Sequence, residues 1–164
     1  GPMNANLAQL ARAYLVFANK GAIPSLKLFK NDSTPNNLQQ IFTPESTKRI
    51  AEILDSVASD NGSGYRAVIN GYSVAGKTGT AEIVIDGKYS KDGAKRTYFI
   101  GFSPAKNPKY IMAVRLDYPK KCFVSWDPTM RNRCEGSNSA SMAFQKAMKR
   151  ILINDPQIKS KFEG

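Results

Sequence analysis

The spacing of apolar positions changes part-way along the chain, and the change separates helical from extended segments. Between residues 4 and 18, Leu7, Leu10, Ala11, Tyr14, Phe17 and Ala18 recur at helical intervals, which predicts an amphipathic helix with Asn4 or Asn6 as its cap. Gly21 in Asn19-Lys20-Gly21 supplies the stop. Residues 22–30 alternate weakly and predict an extended segment, followed by a polar loop from Asn31 to Asn37. Thr43 as N-cap, Pro44 in the first turn and Glu45 at the positive end open a second helix over 44–58. Its expected buried stripe is Ile50, Ile53, Leu54 and Val57, and the run Ser59 to Gly64 breaks it.

From Tyr72 onward the period is two. A strand is expected over 72–85, rich in β-branched residues (Val74, Ile83, Val84, Ile85) and closed by the turn pair Asp86-Gly87. Further strands are expected over 95–103 and 109–117, separated by a turn from Pro104 to Pro108, and the short links imply an antiparallel meander. An irregular stretch from Tyr118 to Ser137 precedes a last helix over 138–152, with Ala140, Phe144, Ala147, Met148 and Ile151 on one face. Helices set against a three-stranded antiparallel meander make an α+β fold class. No internal repeat is visible, and residues 3–164 read as a single domain after Gly1-Pro2, which has the look of a cloning remnant.

Composition narrows the chemistry. With 41% hydrophobic and 23% charged residues, the 164-residue chain is expected to fold around a core. No apolar run approaches the roughly 20 residues of a membrane span, so this stretch is expected to be soluble. There is no histidine, which excludes Ser-His-Asp and Cys-His catalysis within the chain and removes the commonest metal ligand; neither a metal nor a cofactor is expected. Cys122 and Cys134 cannot form a four-ligand zinc site alone. They are candidates for a disulfide that would contribute about 3 kcal/mol in the chain-entropy model, with two free thiols as the alternative. The net charge of +11 is scattered from Lys20 to Lys161, which favours a solvated surface over a nucleic-acid footprint.

The informative residues are Gly71-Tyr72-Ser73-Val74-Ala75-Gly76-Lys77-Thr78-Gly79-Thr80. Gly71 to Thr78 satisfies the phosphate-loop pattern GxxxxGK[ST], and Lys77-Thr78-Gly79 satisfies the KTG element of serine transpeptidases and β-lactamases. A phosphate loop needs a helix after its lysine, because loop amides and the helix N-terminus hold the phosphates. Thr80 to Gly87 is instead β-rich, and Arg115 interrupts the acidic strand a nucleotide site would want. A strand through KTG suits the other chemistry. Lys77 places a fixed positive charge beside a substrate carboxylate, and Thr78 and Thr80 present hydroxyls on one side of the strand. Gly79 leaves room for a substrate backbone, and the Thr80 amide can serve an oxyanion.

More of the chain points the same way. Leu7 to Tyr14 with Ala18-Asn19-Lys20-Gly21, the segment from Pro44 to Val57, the glycine-rich loop 62–64, Val74 to Ala81, and Phe99-Ile100-Gly101-Phe102-Ser103-Pro104-Ala105 occur in an order and spacing that resembles class B penicillin-binding proteins. The resemblance covers roughly residues 4–152 and is nearest the septal, cell-division type. It implies a partial serine β-lactamase/transpeptidase-like fold and a parent that cross-links peptidoglycan by D,D-transpeptidation at the periplasmic or extracytoplasmic face of the inner membrane. It implies Lys77 and Thr80 as catalytic residues and Thr78, Gly79 and Thr80 as substrate-binding ones. The implied partners are the peptidoglycan stem peptide, β-lactams, the N-terminal part of the same domain and divisome proteins. The family's Ser-x-x-Lys nucleophile and Ser-x-Asn motif are expected upstream: Ser46 is followed by Arg49 and Ser25 by Leu28 where the lysine belongs, and Ser59-Asp60-Asn61 reads as a turn. These residues alone are therefore expected to be catalytically inactive. A nucleotide-binding fragment and a basic non-enzymatic binding module are the alternatives.

Overall fold

A computed structural model describes residues 5–27, 29–33, 35–90, 94–120, 122 and 134–160. Helix α1 spans Leu7–Ala18 and opens with a reciprocal capping box: the Asn6 side chain accepts from the Gln9 amide, and the Gln9 side chain accepts from the Asn6 amide. Gly21, at φ +96°, turns the chain into β1 (Ala22–Ile23), which pairs antiparallel with β2 (Gln39–Gln40). Helix α2 (Pro44–Val57) begins where Thr43 and Pro44 direct it, the Thr43 hydroxyl accepting from the Ser46 amide at 3.2 Å. A short 3₁₀ turn at Tyr65–Ala67 follows.

The expected first strand is interrupted at Ile83. Strand β3 runs Ala75–Glu82, and β4 (Val84–Ile85) makes a small separate hairpin with β5 (Lys88–Tyr89) around Asp86 and Gly87, both at positive φ. The main sheet continues with β6 (Lys95–Ser103) and β7 (Tyr110–Asp117) in the antiparallel order β3-β6-β7. Helix α3 spans Ala140–Asn154.

The pleat of β6 sends alternate side chains to opposite faces, and helices cover both. On one face Phe99 packs with Phe144, Met148 and Leu152 of α3. On the other, Phe102 and Ala75 meet Leu54 of α2, with Tyr14 and Phe17 of α1 alongside. Two expected stripes come out differently. In α3 the buried row is Ala140, Phe144, Met148 and Leu152, while Ala147 is exposed and Ile151 half-buried, because an every-fourth-residue row follows one ridge of the helix. In α2, Leu54 is buried but Ile50 and Ile53 are exposed (Ile53 at 58%), and Thr47 is buried, its hydroxyl donating to the Thr43 and Pro44 carbonyls. Among the described residues no helix is long and apolar enough to cross a membrane.

Candidate functional site

Strand β3 carries the motif at an edge of the sheet, with β6 its partner along its length and no second strand beside it among the described residues. The register sets Lys77 opposite Ile100, Thr78 opposite Phe99, Gly79 opposite Tyr98 and Thr80 opposite Thr97. Directly paired residues share a face, so Thr78 and Thr80 lie on the α3 side with Phe99 and Thr97. Lys77 is exposed, and its ammonium curls along the edge to donate to the Thr78 carbonyl at 3.1 Å and Thr78 Oγ1 at 3.3 Å. Among the described residues no carboxylate pairs with it. The two arginines farther along the sheet are already committed: Arg115 grips Asp117 at 2.8 and 2.5 Å, and Arg96 reaches the same carboxylate at 2.8 Å. The Arg115 hydrogen bond leads in pulling the Asp117 carboxyl down to about 2, with Arg96 adding to it.

The glycines of this region answer different needs. A Cβ on Gly76 would stand 2.7 Å from the Ile100 carbonyl oxygen and from the Phe99 ring, and one on Gly101 would stand 2.7 Å from the Ala75 carbonyl oxygen. Packing demands glycine at both. A Cβ on Gly79 would meet nothing closer than Tyr98 Cβ at 3.4 Å, an ordinary contact, so the chain's own packing does not require glycine there. Because β3 continues as a strand through Lys77 and Thr78, no helix N-terminus follows Gly76, and the phosphate-loop alternative has no site to use.

The same letters elsewhere serve structure. Ser103-Pro104-Ala105-Lys106 spells Ser-x-x-Lys, so the letters of the nucleophile motif do occur within the chain, against the expectation that they lie only upstream. Ser103 ends β6, is fully buried, and donates its hydroxyl to the Ser73 carbonyl at 2.7 Å. Ser103 ends a strand and residues 104–107 form a bend, so the helical turn that would bring Lys106 over the hydroxyl is absent. Ser59, the first residue of Ser59-Asp60-Asn61, donates to the Ser56 carbonyl at 2.6 Å and closes the turn after α2. Among the described residues no group of three or more His, Cys, Asp or Glu could hold a metal ion.

One partner of the motif lies far away in sequence. The Gly136 amide donates to Thr80 Oγ1 at 3.0 Å, and a Cβ on Gly136 would stand 2.6 Å from the Gly79 carbonyl oxygen and 2.7 Å from that of Tyr98. Cys134, just before it, is buried and joined to Cys122, with Cα atoms 5.3 Å apart. The only sequence signal for this contact is a single glycine, Gly136, in the stretch between the last strand and the last helix.

Residues 1–149 match the family model described as the penicillin-binding protein transpeptidase domain. The chain belongs to this family. Among curated relatives, a probable peptidoglycan D,D-transpeptidase, PbpC, of Pseudomonas aeruginosa is 39% identical over 116 residues, 71% of this chain and 20% of that protein. The peptidoglycan D,D-transpeptidase FtsI of Buchnera aphidicola is 33% identical over 149 residues, 88% of this chain and 24% of its own length. The chain thus spans about a fifth to a quarter of these relatives. An apo transpeptidase domain of penicillin-binding protein 3 from Burkholderia pseudomallei superposes with a TM-score of 0.72 at 30% identity, covering 94% of this chain and 44% of that one. The architecture is therefore a part of the α+β transpeptidase fold.

Proposed function

We propose that this transpeptidase segment supplies the strand that binds the terminal carboxylate of a peptidoglycan stem peptide, or the carboxylate of a β-lactam. The observation that carries the reading is Lys77: an exposed ammonium on an open strand edge, beside the Thr78 hydroxyl, with no carboxylate of its own among the described residues. A charge-assisted bond from Lys77 and a hydroxyl bond from Thr78 would hold the anion. The unneeded glycine at 79 leaves the strand bare where a substrate backbone would lie, and the Thr80 amide and hydroxyl would orient the adjoining carbonyl.

The serine would come from the rest of the domain. Its Oγ attacks the penultimate D-Ala carbonyl carbon, and the amide bond to the terminal D-Ala breaks as that amine leaves with a proton. The amine of a neighbouring stem then displaces the serine oxygen from the acyl group, forming the cross-link and restoring the hydroxyl. Lys77, Thr78 and Thr80 supply binding and electrostatics to both steps. Exposed apolar residues support a covering remainder of the domain: Phe42, Ile50 and Ile53 along α2 and its entry stay in solvent. The Cys122–Cys134 bond supports an oxidising, extracytoplasmic setting, and a septal role beside divisome proteins would follow from the class B resemblance over residues 4–152.

The test is acylation by a fluorescent penicillin in a protein carrying this chain behind Ser-x-x-Lys and Ser-x-Asn segments. Lys77→Ala should lower the acylation rate constant about 100-fold with the fold intact by circular dichroism. An unchanged rate would remove Lys77 from the site. The 164 residues alone should take up no covalent β-lactam by mass spectrometry.

A further inference from the structure

Thr80 is held by a residue that the strand motif does not contain. We propose that Gly136 is a positioning residue for Thr80, kept in place by the Cys122–Cys134 disulfide, so that the carboxylate-binding strand is fully competent only while that disulfide is formed. The proposal rests on the transpeptidase reading of β3.

A threonine hydroxyl has one proton to donate and two lone pairs with which to accept. By taking the Gly136 N–H at 3.0 Å, Thr80 Oγ1 has one acceptor position filled by the chain itself. Its proton is then turned away from Gly136 and available to an anionic ligand at the strand edge. Without that donor, the hydroxyl is free to rotate and to spend its proton on a local backbone carbonyl.

The contact is built for one backbone. Gly136 lies flat on the β3–β6 ladder, and any side chain there would run into the Gly79 and Tyr98 carbonyls. The neighbouring residues fasten it to β6, and Tyr118, just past β7, is fastened to the same strand. Glu135 pairs with Lys95 at 3.8 Å, Ser139 hydrogen-bonds Thr97 at 2.9 Å and also reaches the Glu135 carbonyl, and the Tyr118 amide donates to the Lys95 carbonyl at 3.0 Å. The first of these is a half-exposed ion pair, which holds little by itself. The covalent tie is the disulfide, which joins Cys122, soon after Tyr118, to the buried Cys134 at Gly136's doorstep. Breaking it removes the covalent tie between Cys122 and Cys134 and lengthens the tether on Gly136.

Two measurements test this. In a protein carrying the chain with its serine segment, reduction by a phosphine, or Cys134→Ala, should slow penicillin acylation about tenfold, the effect expected for one hydrogen bond to a charged group. Thr80→Ser, which keeps the hydroxyl, should show the same sensitivity to reduction. Thr80→Val, which has no acceptor for Gly136, should be slow already and lose less than about twofold more on reduction. Equal losses in Thr80→Val and the parent would mean the disulfide serves stability alone and would overturn the proposal, as would no loss in the parent. In the 164-residue chain, hydrogen exchange at the Gly136 amide should accelerate at least about tenfold on reduction, and persisting protection would also overturn it. A parent that is not acylated at all would refute the transpeptidase reading and the substrate half of this proposal. The Gly136 exchange result would still report whether the disulfide governs the contact.

Discussion

The rings of Phe99 on β6 and Phe144 on α3 lie 4.6 Å apart between centroids, tilted by 50°, and both side chains are fully buried. This pair joins the central strand to the last helix, and the Phe99 ring also lies against Gly76, the residue before Lys77. Phe144→Ala should therefore lower unfolding free energy by about 3–5 kcal/mol. Urea denaturation followed by circular dichroism measures it, and a loss under about 1 kcal/mol would mean that α3 does not depend on this contact.

Gly79 and Gly101 should separate function from stability. Gly101→Ala forces a methyl to within 2.7 Å of the Ala75 carbonyl oxygen and should cost about 1–3 kcal/mol as overpacking. Gly79→Ala meets only the Tyr98 side chain at ordinary contact distance, so its stability should stay within about 0.5 kcal/mol of the parent. Its acylation in the serine-bearing protein should nonetheless fall at least about tenfold, because the methyl occupies the space left for substrate. Matching losses of stability and acylation in Gly79→Ala would remove the reason for placing substrate there.

Acid should unlock the Asp117 cluster. The Arg115 hydrogen bond, followed by Arg96, lowers the folded-state carboxyl from 3.8 to about 2. A depressed folded value means the stabilisation is fully present above the unfolded value of 3.8 and is lost as pH falls through about 2. Thermal midpoints of the parent and Asp117→Asn should differ at pH 6 and converge toward pH 2. A gap that persists undiminished at pH 2 would show that the carboxylate's charge is not what matters.

The exposed apolar residues of α2 test the covering remainder of the domain. In the 164-residue chain, Ile53→Gln should change stability by less than about 0.5 kcal/mol, since the side chain is 58% exposed. In the serine-bearing protein the same change should cost about 1.5–3 kcal/mol, the value of a buried isoleucine. Equal small effects in both would leave α2 facing water in the whole domain as well.

Local chemistry determined much of what the sequence could reveal. Asn6 with Gln9, Thr43 with Pro44, and Asp86 with Gly87 act through neighbours a few positions away, so the starts of α1 and α2 and the β4–β5 turn are legible without a tertiary fold. The antiparallel meander is legible too, because its links are short and its strands alternate; the motif at 77–80 follows from the letters and from the strand-forming run behind them. Four matters waited on packing. The pairing of Gln39-Gln40 with Ala22-Ile23 joins two short segments, one of them polar, and the weak alternation over 22–30 does not name its partner. The buried row of α3 ends on Leu152 rather than Ile151, since the ridge that meets the sheet selects one of two adjacent apolar residues. Ser103-Pro104-Ala105-Lys106 carries a catalytic spelling, and only burial of its hydroxyl against Ser73 shows that the serine is structural. The Gly136–Thr80 bond spans residues far apart in sequence, and a backbone amide leaves no trace in side-chain pattern. Period and capping are encoded within one turn or hairpin; which face meets which, and which donor finds which acceptor, is decided when the sheet and helices close on one another.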